Sequence, residues 1–287
     1  MLNKLLRHIE NCKIHYGSYA VLRSTLALST LLTIIFNTTD TLFPAFVENN
    51  NLVYSKITFL DYNVSYFIFQ NILYFKIFSS GILFLVISGG YPRVTGILHF
   101  IVSYVFFNTA IAIDGGDQII SNVTFLLIPI TLLDRNSNHW KNNQPAKSLF
   151  TKTIFHSFSF LICLQVCVIY LHSAIAKLNV DEWLNGTAIW YWFRHEIFGA
   201  NYFILDVVNF LLKQPSLIYC LNYSIIILEI LIAMMLFVNK ERFIAKVTFI
   251  IAVIFHIGII LMHGIFSFAL VMIGCLFFYF NKKLKFQ

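Results

Sequence analysis

Phe243-Ile244-Ala245-Lys246-Val247-Thr248-Phe249-Ile250-Ile251-Ala252-Val253-Ile254-Phe255-His256-Ile257-Gly258-Ile259-Ile260-Leu261-Met262 is the stretch that decides the fold class. A helix needs about 20 mostly apolar residues to cross the hydrocarbon of a bilayer. This run supplies them, with a lysine near its start and one histidine inside it. Working outward, seven further runs of the same kind occur: Tyr16–Phe36, Phe69–Ser88, Val94–Ile113, Gln118–Leu133, Thr153–Ala176, Leu217–Val238 and Ile265–Phe280. The expected fold is an all-α polytopic membrane protein of about eight transmembrane helices, one transmembrane domain over residues 1–287. The run Gln118–Leu133 is short and carries Pro129, which predicts a kink or a start in the preceding loop. The first run contains Arg23 and lacks a small-residue cleavage site, so it reads as a retained span rather than a signal peptide.

The whole chain agrees with this. Of its 287 residues 59% are hydrophobic and 11% charged, with a mean hydropathy of +0.77; soluble domains run near about 45–50% and about 25%. Disorder, collagen and a secreted disulfide scaffold are excluded. The five cysteines form no CxxC pair, and Cys163, Cys167 and Cys275 sit inside apolar runs as small packing residues. A net charge of +7 would suggest nucleic acid if the cations clustered on one surface, but they do not. Lys4, Arg7, Lys13, Arg93, Arg135, Lys141, Lys147, Lys152, Lys240, Arg242, Lys246, Lys282, Lys283 and Lys285 fall on the loops and ends of one membrane side, 14 of the 20 basic residues. The opposite loops hold Lys56, Lys177, Arg194 and Lys213 with nine of the 13 acids. The positive-inside rule places both termini in the cytoplasm, with the bilayer as partner and no nucleic acid.

Two expected outer segments, 37–68 and 177–216, are too long for turns. The second holds Trp183, Trp190, Tyr191, Trp192 and Phe193 before Arg194 and His195. Aromatics of this kind favour the membrane–water boundary, so an interfacial segment is expected, either as an anchoring belt or facing a substrate. No inverted or parallel repeat and no paired broken helices mark a secondary transporter.

Charges within a span are costly, about 2.5–3.5 kcal/mol at mid-helix, and normally face a bundle interior or a wet cavity. Tyr16, Arg23, Thr30 and Asn37 recur every seven residues and share a face. Asn222 and Glu229 repeat that spacing, as do His256 and His263, and Cys163, Cys167, Tyr170, Ala174 and Lys177 form a stripe ending beside His172 and Ser173. These groups either satisfy one another, Arg23 with Glu229 for example, or together line a polar cavity opening outward. In such a cavity a partly desolvated Lys177 is a candidate base, with His172, Glu229, His256 and His263 as candidate catalytic companions. No metal site is expected, since two histidines seven apart stand about 10 Å from each other along the helix. There is no HExxH, GxSxG or P-loop, and Asp114-Gly115-Gly116-Asp117 reads as a tight turn between spans.

The stretch His172-Ser173-Ala174-Ile175-Ala176-Lys177-Leu178-Asn179-Val180-Asp181-Glu182-Trp183-Leu184-Asn185-Gly186-Thr187-Ala188 resembles the transmembrane domain shared by vitamin K-dependent gamma-carboxylases and their bacterial relatives, the horizontally transferred transmembrane domain family. Gly116-Asp117-Gln118, Leu228-Glu229 and His263-Gly264-Ile265-Phe266-Ser267-Phe268 fit the same pattern in order. Within it, the start from Tyr16 through Arg23 to Asn37, and Asp134-Arg135-Asn136-Ser137-Asn138-His139-Trp140, are most similar to the sporulation-delaying protein B branch. That resemblance implies a protein of the bacterial cytoplasmic (inner) membrane that matures or exports a secreted antimicrobial peptide toxin. Its implied partners are the toxin precursor and a co-encoded protein. It marks Arg23, Asp117, Arg135, Trp183 and Gly186 as motif positions.

The carboxylase comparison implies that Lys177 matches a lysine acting as base on a reduced quinone. The chain departs from that pattern: Ala176 replaces a second lysine, the spacing to Trp183 is one residue longer, and no large domain follows the last span. Three functions are thus weighed: peptide-toxin maturation or export, a carboxylase-like enzyme with a quinone cofactor, and a non-catalytic scaffold docking its partner through the basic stretch 135–152.

Overall fold

The computed structural model describes residues 16–43, 46–48, 51–53, 58–59, 62–63, 68, 71–141, 148–196 and 198–281. Lys4, Arg7, Cys12, Lys13, Lys56, Lys147, Lys282, Lys283 and Lys285, and most of the expected outer segment 37–68, lie outside the described residues. The chain forms two compact units, residues 1–161 and 162–287. The boundary falls inside one long helix.

The first unit contains helices α1 (Tyr16–Phe36), α2 (Thr39–Leu42), α3 (Ile72–Ile87), α4 (Pro92–Thr109), α5 (Gly115–Leu133) and the beginning of α6 (Leu149–Lys177). Between α2 and α3 lie two small antiparallel hairpins, β1 (Phe46–Glu48) with β2 (Asn51–Val53) and β3 (Thr58–Phe59) with β4 (Tyr62–Asn63); Val47 stands opposite Leu52. The chain is otherwise helical among the described residues. Helix α5 starts three residues before the expected Gln118. Asp114 accepts from the Gly116 N–H at 2.6 Å, and Asp117 accepts from the Asp114 N–H at 3.1 Å. Reciprocal capping of this kind satisfies donors that a helix start leaves open. The Asp-Gly-Gly-Asp turn is therefore a helix N-terminus. Pro129 is accommodated inside the helix.

The core of this unit joins Ala27, Leu31 and Ile34 of α1 to Leu83 and Val86 of α3 and Val102 and Phe106 of α4. Phe43 packs edge-on against Phe75 and Phe106. Helices α4 and α5 approach closely at Gly96, where a Cβ would collide with Thr131, as small residues permit at membrane helix contacts.

The loop after α5 folds onto the turn between α3 and α4. Tyr91 N–H donates to Ser137 O at 2.9 Å, His139 N–H to Gly89 O at 3.0 Å, and the Trp140 indole to Ile87 O at 3.0 Å. This clasp inserts His139 beside Arg23, whose guanidinium is 1% exposed. Arg23 Nη1 donates to His139 Nδ1 at 2.9 Å and Nη2 to Thr95 Oγ1 at 2.5 Å. Since the guanidinium has only donors, Nδ1 must carry the lone pair. The ring proton is then on Nε2, facing Ser24 Oγ at 3.3 Å.

Burial, and then the Arg23 charge, push the His139 pKa down from 6.5 to about 3. A depressed pKa gives stability that is complete above the unfolded value near 6.5 and lost as pH falls toward 3. Asp134, raised by burial, acts with the opposite sign. The unfolding midpoint is expected to drop between pH 6.5 and 4 in the wild type and to drop less in His139→Gln. Identical pH profiles for the two proteins would remove His139 as the cause.

The second unit holds the rest of α6, then α7 (Asp181–Leu184), α8 (Ala188–Phe193), α9 (Leu205–Leu212), α10 (Pro215–Met234), α11 (Phe243–His263) and α12 (Phe266–Asn281). Gly264, at φ 67°, ends α11 and opens the hairpin into α12. The C-terminal carbonyls of α10 are satisfied from outside it. Tyr279 Oη donates to Ile232 O at 3.0 Å, Cys167 Sγ donates to Ala233 O at 3.3 Å, and Lys240 Nζ donates to Met235 O. Lys240 also lies over the Tyr279 ring, 4.2 Å from its centroid, and burial lowers its pKa to about 8. One cation of the positive-inside count is thus a helix cap. Cys163, Cys167 and Cys275 are buried packing residues.

Among the described residues, five helical segments are long and apolar enough to cross a membrane: Gly17–Phe36, Gly115–Leu133, Leu149–Lys177, Pro215–Phe237 and Phe243–His263. The three other expected spans coincide with helices that are shorter or more polar. Helices α3 and α12 have 16 residues each, about 24 Å at 1.5 Å per residue. Helix α4 has 18 residues but carries Arg93, His99, Ser103 and Asn108.

Candidate functional site

Helix α6 runs seven residues past the last phenolic group of its polar stripe, Tyr170, to its terminal turn at Lys177 within the second unit. Ser173 and Lys177, four apart, share a face there. Lys177 Nζ donates to Glu229 Oε1 at 2.8 Å, to Glu229 Oε2 at 3.0 Å and to Ser173 Oγ at 2.7 Å. Ser173 Oγ in turn donates to Glu229 Oε1 at 2.9 Å. The side chains of Lys177 and Glu229 are 19% and 6% exposed. An acid placed in the middle of an apolar helix demands such a counter-charge, and the lysine ending the neighbouring helix supplies it.

The segment after α6 closes over this pair. The Trp183 ring lies 5.2 Å from Lys177 Nζ, centroid to nitrogen, within reach of a cation–π contact. Three side chains of α10 hold it there. Asn222 Nδ2 donates to Trp183 O at 2.8 Å and Tyr223 Oη donates to Leu184 O at 2.6 Å. Tyr219 lies against Gly186, where a Cβ would enter its ring. Gly186 also has φ 74°, a left-handed conformation that costs a side chain about 1–2 kcal/mol. Gly186→Val is therefore expected to lift Trp183 off the lysine. Acetylation of Lys177 by an amine-reactive ester, read by peptide mass spectrometry, should speed up several-fold; an unchanged rate would show that Trp183 does not shield it.

The other expected site residues are distributed elsewhere. His172 is exposed on another face of α6. His256 is 1% exposed; its Nδ1–H donates to Ala252 O at 2.7 Å, so Nε2 accepts from Tyr170 Oη at 3.3 Å. Both of its nitrogens are used within the packing. His263 donates from Nδ1 to Phe198 O and meets Trp192 edge-on at 6.2 Å. It lines a cavity of about 490 Å³ with Arg194, His195, Glu196, Asn201 and Asn209. Lys177, Glu229 and His256 do not line that cavity. The single polar cavity expected from the sequence is thus divided into an ion pair, a buried histidine and a separate recess.

Arg23 belongs to the clasp of the first unit with Thr95 and His139, which replaces the expected example of pairing with Glu229. Asp117 caps α5, and Arg135 is exposed on the clasp loop. No cluster of three or more His, Cys, Asp or Glu able to hold a metal occurs among the described residues. Ser173 and Tyr223 were not among the expected site residues. Ser173 was within reach of the i, i+4 rule, one turn before Lys177 on the same face.

No family model matches the chain, and no solved structure matches it. Two proteins of Bacillus subtilis (strain 168) are similar to it. One is the sporulation-delaying protein SdpB, 37% identical over 247 residues, which covers 83% of this chain and 74% of that protein. The other is the uncharacterized protein YitO, 34% identical over 268 residues, 91% of this chain and 84% of that protein.

Proposed function

Because the chain belongs to the sporulation-delaying protein SdpB family, we propose that it acts in the maturation or export of a secreted antimicrobial peptide toxin, beside a co-encoded partner protein. It is a multi-pass bacterial membrane protein. In the proposed topology eight helices span the cytoplasmic membrane and both termini lie in the cytoplasm. The C-terminal end of α6 and the aromatic segment then face outward, where a secreted precursor passes.

The observation that carries a direct role in the chemistry is the bonded set Ser173, Lys177 and Glu229 under Trp183. A fixed ammonium and carboxylate at the edge of a membrane can orient a peptide carbonyl and move a proton. The carboxylase-like alternative asks Lys177 to act as a base toward a quinone. Its ammonium is committed to Glu229 and Ser173, and the 490 Å³ recess lies on other residues, so no contact of this site favours that reading.

The test is mass spectrometry of secreted peptides from cells with the wild-type protein, without it, and with Lys177→Ala. The mature peptide should vanish in both altered strains while a precursor accumulates. Output lost only in the deletion would make the protein a scaffold, with Arg135 to Lys152 as its docking stretch. Output retained in the deletion would sink the maturation role altogether.

A further inference from the structure

The ion pair of Lys177 and Glu229 is complete without a third member, yet Ser173 is bonded to both partners. Its hydroxyl proton points at a carboxylate oxygen 2.9 Å away, and its lone pair faces an ammonium 2.7 Å away. A weak nucleophile becomes an active one through an adjacent base that takes its proton and a cation that stabilises the developing charge on oxygen. Both are present, and the low exposure of Glu229 limits competition from water. Ser173 itself is only half-buried, so a substrate can reach it.

We propose that Ser173, Glu229 and Lys177 form a hydrolytic site that cuts a peptide bond, with Ser173 as nucleophile; the identity of the substrate as a toxin precursor rests on the function proposed above. Ser173 Oγ attacks the carbonyl carbon of the scissile bond and its proton passes to Glu229 Oε1. The Lys177 ammonium holds Oγ in line and offsets its charge. When the C–N bond breaks, the proton on Glu229 goes to the leaving nitrogen, and the new amino terminus departs. An ester on Ser173 remains. Water then attacks the ester carbonyl and gives a proton to Glu229; the C–Oγ bond breaks, and Oγ recovers that proton. Water is the sole co-reactant, and nothing is oxidised or reduced.

Two measurements test this. The purified full chain is treated with a fluorophosphonate probe and digested for mass spectrometry. One covalent adduct is expected at Ser173, absent in Ser173→Ala and formed at least about tenfold more slowly in Lys177→Met and Glu229→Gln. No adduct at Ser173 in the wild type overturns the assignment. In cells, Ser173→Ala present in the membrane at wild-type level should lower mature peptide at least about 100-fold with the precursor retained. Output within twofold of wild type overturns the proposal. Should Ser173→Ala fail to accumulate, labelling of the wild-type protein decides alone. If deletion of the whole protein leaves the peptide unchanged, the toxin-maturation function fails, and labelling still decides for or against Ser173.

Discussion

Lys177→Ala is expected to destabilise the second unit by on the order of 3 kcal/mol and to abolish peptide output, whereas Lys177→Met combined with Glu229→Gln restores most of the stability and none of the output. The reason lies in what each variant leaves behind. Removing the lysine alone strands a carboxylate whose side chain is 6% exposed, and an uncompensated buried charge costs about 3–5 kcal/mol. The 19% exposure of the lysine moves the estimate toward the lower end. Replacing both partners with neutral groups of similar size removes the stranded charge as well, and exchanges of this kind are often close to neutral. Thermal unfolding in detergent gives the stability half of the comparison and mass spectrometry of secreted peptides the other. A double variant that recovers both would make the pair a packing device; one that recovers neither would mean the neutral pair cannot hold the helices.

Arg23→Ala has the second large effect, on the first unit. It removes a fully buried side chain, two hydrogen bonds of 2.5 and 2.9 Å, and a favourable interaction of the guanidinium with the Tyr19 hydroxyl one turn earlier. A cavity of that size with polar groups left in its wall costs about 3–5 kcal/mol. The clasp loop should detach from the α3–α4 turn because His139 loses its anchor. Arg135 and Lys141 are exposed at the two ends of that loop, so trypsin added to the detergent-solubilised protein should cut there at least about tenfold faster than in wild type, since cleavage tracks the population of the open form. Arg23→Lys should rescue little, since one ammonium cannot reproduce a planar fork aimed at both Thr95 and His139. Unchanged cleavage in Arg23→Ala would mean the backbone bonds of the clasp suffice without it.

These two sites show where the sequence was readable and where it was not. The helices were legible because bilayer thickness imposes a length on apolar runs: Tyr16–Phe36 was found to the residue, and Leu149–Lys177 within four residues at one end. Where capping rather than hydropathy sets a boundary, the reading slipped, as at Gly115, which Asp114 and Asp117 bring into α5. Partnerships were far less legible. Heptad spacing put Asn222 and Glu229 on one face, and both do point at the α6–α7 region, but Asn222 serves the Trp183 carbonyl while Glu229 serves Lys177. The same spacing in His256 and His263 joins nothing, since one is sealed against Tyr170 and the other lines a recess. Periodicity tells which residues share a face; it carries no information on what the face meets. Arg23 finds His139 across 116 positions, and no local pattern encodes such a distance.

That separation also has a timetable. Arg23 enters the membrane with the first helix, but Thr95 is made 72 residues later and His139 116 residues later. At about 5–20 residues per second of synthesis, the guanidinium waits about 6–23 s for its last ligand. Through that interval the nascent helix bears the insertion cost of an arginine, about 2.5–3.5 kcal/mol at mid-span, with no clasp to offset it. The set of bonds around the guanidinium is therefore completed only once the loop after α5 has emerged. A chain stopped before His139 keeps that cation without the ring nitrogen that accepts from it in the finished fold.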